Sequence, residues 1–349
     1  MGIKAYILSV MNDERSGPIE SVLRIALSFA SLFYKAAIRS IDAAYTSGRR
    51  RVFKVPVPVV SIGNLTLGGT GKTPLTVFVA EHYSAAGHKP AILTRGYGKD
   101  EDRMLREDLV DIPVYSGRDR RISALTAASE GCDVIIMDDG FQHRTLERDL
   151  DIVLMTPETL AGKDKLFPRG TMREGYEALS RADAVIVTKA DRMTEERKAA
   201  AALEAAKIVP GRPVAFAEHK PVFLTDITGT TYPLENISGM KTLLVSGIAD
   251  PGYFALSSRK LGALIVGRME FPDHHAYSGR DAERIEKEAA LREADVILTT
   301  AKDFIKLRRL DLSAFEEKIF VLRVRAEISE GKETLIARLD SVLSGKRPE

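Results

Sequence analysis

Two hydrophobic periods alternate along this chain. Short runs that are apolar on both faces recur as "VPVVSIGN", "KPAILTRG", "IPVYSG", "CDVIIMDDG", "LDIVLM", "ADAVIVTK" and "RPVAFAEH". Rich in Val and Ile, they predict buried parallel strands. Segments of helical period separate them, including residues 73–86 and 194–208. Strand and helix in alternation predict an α/β architecture, a parallel sheet covered on both faces. A second group follows, "TLLVSGIAD", "GALIVGRMEF", "ADVILTTAKD" and "KIFVLRVRAE", again with helices between. The boundary is expected near residue 220, in the Thr-, Gly- and Pro-rich stretch "HKPVFLTDITGTTYPLEN". Three parts result: residues 1–50, a core of 51–220 and a smaller α/β domain of 221–349.

The first part has its own pattern. In "SVLRIALSFASLFYKAAIRSIDAAYTSGRRR" apolar residues recur at helical spacing from Val22 through Ala30 and Phe33 to Ile41. The longest uncharged run, Ile25 to Tyr34, is ten residues, whereas a spanning helix needs about 20. An amphipathic helix with a basic end (Arg49, Arg50, Arg51, Lys54) is expected, packed on its own domain or lying in a membrane interface with its cations on anionic headgroups. No secretory signal opens the chain, since charge enters at residues 13–15.

Composition narrows the class. Of the 349 residues, 44% are hydrophobic and 29% charged, and the net charge is only +2. No strongly basic field points to nucleic acid. A single cysteine, Cys132, excludes a disulfide framework and a cysteine-rich metal site.

The chemistry concentrates at strand ends. "SIGNLTLGGTGKTP" (residues 61–74) joins a predicted strand to a predicted helix and ends as a phosphate loop. Backbone N–H groups of Thr66, Leu67, Gly68, Gly69, Thr70 and Gly71 would curl around phosphate oxygens, helped by the helix N-terminus. Lys72 would bridge the outer phosphates of ATP, and the Thr73 hydroxyl would bind Mg²⁺. The usual spacing requires glycine where Thr66 stands. Downstream, "CDVIIMDDG" ends a strand in Asp138 and Asp139, the carboxylates expected to hold the metal. "FPDHHAYS" offers Asp273, His274 and His275, and one histidine could serve as a proton acceptor. "ILTTAKD" ends another strand with Thr299, Thr300, Lys302 and Asp303. "VTKAD" (187–191) is similar to the guanine-reading N-K-x-D, with Thr188 in place of Asn.

Together these segments resemble the tetraacyldisaccharide 4'-kinase family of lipid A biosynthesis. The resemblance runs from about residue 20 to near the end, and "SIGNLTLGGTGKTP" and "DDGFQHR" are its most specific stretches. "LTRGYG", "LFPRGTMRE", "SGIADP", "FPDHHAYS" and "TTAKDFIKL" support it. It implies transfer of the ATP γ-phosphate to the 4'-hydroxyl of a lipid A disaccharide 1-phosphate precursor. It also implies peripheral attachment to the cytoplasmic face of the inner membrane; no obligate protein partner or nucleic acid is expected. The family's own phosphate loop has no glycine at the Thr66 position. The resemblance places Asp138 and Asp139 at the metal and ATP, and His274 on the far wall of the cleft. Family members run from "RGYG" through a hairpin to a Gly-Asp-Glu-Pro motif whose Asp is the candidate base. Here "KDED" follows "RGYG" at once, which assigns the base to Asp100 with Asp102 as its rival, and His274 is expected among the catalytic residues, raising the effectiveness of Asp100 or orienting it. Arg118, Arg120 and Arg173 are expected on phosphate, Glu174 near the metal, and Asn64 among the substrate-binding groups.

Two other classes share parts of this pattern. Partitioning ATPases of the ParA type share "GGTGKT" but carry a signature lysine where Leu67 stands. A GTP-binding module would depend on "VTKAD".

Overall fold

The computed structural model describes residues 3–11, 13, 15–96, 99–313 and 316–344, without the side chains of residues 3–5, 8, 99–101 and 317. Among these, twelve strands form one sheet: β1 (Val59–Asn64), β2 (Pro90–Thr94), β3 (Val114–Ser116), β4 (Val134–Asp138), β5 (Leu150–Met155), β6 (Ala184–Thr188), β7 (Val214–Thr225), β8 (Thr231–Tyr232), β9 (Lys241–Ser246), β10 (Leu264–Glu270), β11 (Val296–Thr300) and β12 (Ile319–Glu330). Their order is β10-β9-β11-β12-β7-β6-β5-β1-β4-β2-β3, with β8 beside β7. β1, β2, β4, β5 and β6 are buried along their whole length, as their unbroken apolar runs require. β1 lies between β4 and β5 and parallel to both, with Ile62 opposite Asp138. The loop after β1 and the aspartates after β4 therefore leave the sheet side by side.

The stretch expected to be a linker is mostly strand. β7 runs through residue 220, pairing parallel with β6 at its start and antiparallel with β12 beyond. Pro221 is tolerated because the ladder shifts register there: Pro221 faces Val324 and Phe223 faces Arg323. A bulge asks no N–H of the proline. The paired β7 and β12, twelve residues each, join the two groups of strands into one sheet. Separate cores flank that ribbon, one around Ile62, Leu75 and Ile136, another around Val245, Ile285 and Ile297.

"KDEDRMLRED" forms the helix Lys99–Asp108. Its hydrophobic anchor is Leu105, fully buried with Leu109 in the first core.

After a short helix, Ile3–Met11, the long N-terminal helix spans Pro18–Thr46, and none of its residues is buried. By length and composition it is the one described helix that could cross a membrane. Its apolar side faces outward: Phe29 is 62% and Phe33 78% exposed, with Ile19, Val22, Ile25 and Leu32 beside them. Its polar side meets the protein. Asp42 pairs with Arg144 and Arg181, Arg39 with Glu177, and Tyr34 donates to the Arg173 carbonyl.

Candidate active site

The phosphate loop is built on β1 and the helix Lys72–Ala85. That helix buries Leu75, Val79, Ala80 and Tyr83, which aims its N-terminus along the sheet's edge. Gly68 (φ 115°) and Gly71 (φ 86°) take left-handed conformations that glycine adopts freely. Thr66 does not. It forms a bridge with Met172, while Leu67 N–H donates to Thr171 O (2.7 Å) and Arg173 N–H to Leu65 O (2.6 Å). The position without glycine is extended backbone zipped to residues 171–173.

Asp138 and Asp139 sit where the sheet order requires. Thr76 donates to Asp138 at 3.0 Å. The Asp139 carboxylate receives Arg173 Nη1 at 2.9 Å to both oxygens and lies 3.6 Å from Lys72 Nζ. Burial pushes the Asp139 carboxyl up, but Lys72 and Arg173 outweigh it and hold the group below the usual carboxylate range. Arg120, 1% exposed, donates to the Asp138 carbonyl at 2.6 Å and the Asp139 carbonyl at 3.1 Å. It braces the turn from behind.

Both aspartates, the loop and the second group of strands surround a cavity of about 760 Å³. Gly68 to Pro74, Asp138, Asp139 and Arg173 form one wall. Asp273, His274, Lys302, Arg323 and Arg325 line the remainder with Met104 and Asp108. His274 approaches Lys302 Nζ at 3.2 Å, and Lys302 donates to Asp273 at 3.1 Å. His275 turns away, stacked on Phe271 and 3.2 Å from Asp281. Among the described residues, five non-glycines have positive φ, and Asp139, Lys189 and His274 of that set line the cavity. Such strain gathers where a site dictates side-chain direction.

Several expected contacts lie elsewhere. Asn64 is fully buried and donates to Thr70 Oγ1 at 2.8 Å, so it supports the loop from within. Glu174 is buried against Arg181 at 2.7 Å, and Arg181 lies over the Phe141 ring. Arg118 is exposed. None of these three, nor Arg120, lines the cavity. The Asp100 side chain lies outside the described residues. Asp102 is partly buried, near enough to Arg120 to favour its charge.

Other groups escaped the sequence reading because their partners are distant in the chain. Lys189 pairs with Asp250 at 2.7 Å, and Asp250 caps the helix Pro251–Lys260. His219 lies beneath Gly71, and burial, with Lys189 nearby, depresses its imidazole to about 4. Asp191, the base-reading position of a guanine motif, is occupied by Tyr253 OH (2.7 Å) and Lys260 (2.9 Å). This disfavours the GTP reading.

The donors fit Mg²⁺ held with a nucleotide: a threonine hydroxyl at the helix start and two carboxylates at a neighbouring strand end, the remaining positions falling to phosphate and water. A phosphate loop beside a carboxylate turn on one wall of a large cavity, with Lys72 at the Asp139 carboxylate, has the make-up of an ATP-dependent phosphotransferase. The family model for tetraacyldisaccharide-1-P 4'-kinase matches residues 23–108 and 100–344. A tetraacyldisaccharide 4'-kinase of Anaeromyxobacter sp. (strain Fw109-5) is 34% identical over 95% of this chain and 94% of its own. One from Syntrophus aciditrophicus is 32% identical over 97% and 99%. The crystal structure of LpxK from Aquifex aeolicus in complex with ATP superposes with a TM-score of 0.73 at 28% identity, covering 92% of this chain and 99% of that one. The chain belongs to the tetraacyldisaccharide 4'-kinase family. The two matched pieces overlap at residues 100–108, next to and including most of "KDED".

Proposed function

We propose that this protein transfers the γ-phosphate of ATP to the 4'-hydroxyl of a tetraacyl glucosamine disaccharide 1-phosphate, a late step of lipid A biosynthesis. The observation that carries the reading is the Asp139 carboxylate held between Lys72 and Arg173 beside the phosphate loop, in a chain of this family.

The residues divide the work. Loop amides of 68–71 and Lys72 hold the outer phosphates of ATP. Thr73, Asp138 and Asp139 would hold Mg²⁺, which would offset negative charge on the phosphates. The 4'-hydroxyl oxygen attacks the γ-phosphorus, the bond to the ADP oxygen breaks, and Asp100 takes the hydroxyl proton, with Asp102 the alternative acceptor. His274, Asp273 and Lys302 present the acceptor sugar from the opposite wall. Positioning and electrostatics supply most of the acceleration in such transfers.

Residues 1–50 serve as the membrane-interface segment, the strands β1 to β6 carry the kinase core, and the group β9 to β11 forms the opposite wall, with β7 and β12 joining the two across the boundary expected at residue 220. The outward apolar side of the N-terminal helix supports peripheral attachment, and the need for ATP supports the cytoplasmic face of the inner membrane. Incubation with γ-labelled ATP and the disaccharide 1-phosphate in mixed micelles should yield a product labelled at the 4'-position. Absence of labelled lipid at any enzyme concentration refutes the proposal.

A further inference from the structure

The helix that offers its apolar side to solvent is hydrogen-bonded to the strip of chain that sets the active site. Its inward face carries Ser31 and Tyr34. Ser31 Oγ shares its proton between Leu166 O and Leu27 O of its own helix, each at 3.0 Å, and accepts from Arg169 N–H at 3.0 Å. Tyr34 OH donates to Arg173 O at 3.0 Å, and its ring stands edge-on to Phe167 with centroids 5.4 Å apart. Every one of these contacts outside the helix falls on residues 166–173.

That strip has a second set of contacts on its far side. Through Thr171, Met172 and Arg173 it fixes Leu65, Thr66 and Leu67 at the start of the phosphate loop. Through the Arg173 guanidinium it grips the Asp139 carboxylate. The same residue whose carbonyl receives Tyr34 thus supplies the amide that holds the loop and the cation that holds the aspartate. A shift of the helix would pull on Arg173, which is bonded to both the loop and the aspartate. Displacements of about 1 Å at such groups are enough to cost turnover heavily.

We propose that Tyr34 is a positioning residue for phosphoryl transfer, coupling the N-terminal helix, and the lipid surface its outer face meets, to the phosphate loop and Asp139. The inference rests on the kinase reading above, but its first readout does not. Tyr34→Phe retains the ring against Phe167 and removes only the hydroxyl. In the full-length enzyme this variant should bind Mg·ATP about 5-fold more weakly, lower kcat about 10-fold, and leave both the KM for micellar disaccharide and co-sedimentation with anionic phospholipid vesicles unchanged. Ser31→Ala, which frees the Arg169 amide, should shift the same two quantities in the same direction. Wild-type Mg·ATP affinity in Tyr34→Phe overturns the proposal. A raised lipid KM with unchanged kcat also overturns it, because Tyr34 would then be a substrate contact. If the wild-type enzyme transfers no phosphate, the kinase reading fails alone, and the Mg·ATP affinities still decide the coupling.

Discussion

His219 gives the structure a pH dependence that can be worked out before measurement. Its ring lies beneath Gly71, beside Tyr253 and close to Lys189, with Asp191 and Asp250 as the facing acids. Burial, reinforced by Lys189, lowers its pKa from 6.5 to about 4, and the two aspartates recover only part of the loss. The unfolded chain takes up a proton at this residue near pH 6.5, while the folded chain resists until near pH 4. Unfolding therefore binds a proton across that window, and stability falls as the pH falls through it. At about 1.4 kcal/mol per unit the full loss is about 3 kcal/mol, reached below pH 4. Two measurements test this. Carbon-13 labelling of histidine, with His219→Gln to assign the resonance, should show a ring that stays neutral down to about pH 5. Urea unfolding of wild type and variant should give stability curves that converge or cross as pH drops from 7 to 4.5, because the variant lacks the titrating group. A His219 resonance that titrates near 6.5, or parallel curves, refutes the neutral, half-buried ring.

Gly71→Ala places a Cβ 2.2 Å from His219 Nε2 at a φ of 86°. A combined steric and backbone penalty of about 3 kcal/mol should appear in unfolding, together with loss of ATP binding. Thr66→Gly restores the usual loop spacing, yet it should lower stability by about 1 kcal/mol and weaken ATP binding, because the bridge to Met172 needs an extended residue; tighter binding would contradict this. Asp100→Ala should cut turnover by roughly 10²-fold or more, and near-normal kcat would move the base to Asp102, to be read in Asp102→Ala. Phe29→Asp with Phe33→Asp changes only outward side chains and should abolish vesicle co-sedimentation while leaving the unfolding midpoint unchanged.

Much of this architecture is legible in the chain because buried parallel strands allow few polar residues. β1, β4, β5 and β6 are found where their apolar runs stand, and the loop and the aspartates follow from strand ends. What stayed hidden depends on pairing across long separations. β7 reads as ending near residue 220 because Pro221 and the Thr- and Gly-rich run that follows imitate a linker, and only the register shift against β12 shows why proline is accepted. The helix at 99–108 is dense in charge, and Leu105 is the one buried residue among its described side chains, so no apolar stripe announces it. Arg120 and Asn64 read as ligand contacts because they are polar and close in sequence to the site. Burial turned both inward, one onto carbonyls and the other onto the loop. Lys189 and Asp250 stand in quoted motifs, "VTKAD" and "SGIADP", but nothing local shows that they pair, and His219 under Gly71 has no local signal.

The glycine missing at residue 66 shows how a departure from a pattern can be resolved only in three dimensions. A phosphate loop needs freedom at some positions and fixation at others. Here Gly68 and Gly71 supply the freedom, since they alone in the loop have positive φ. Fixation is supplied by residues 171–173, which pair with 65–67 as a short strip of sheet. Thr66 suits that role, because a β-branched residue favours extended backbone and glycine does not. "LTLGGTGKT" and "LFPRGTMRE", a hundred residues apart, are therefore two halves of one binding element. Because Arg173 belongs to the second half and also holds Asp139, the phosphate loop cannot move independently of the carboxylate it must face.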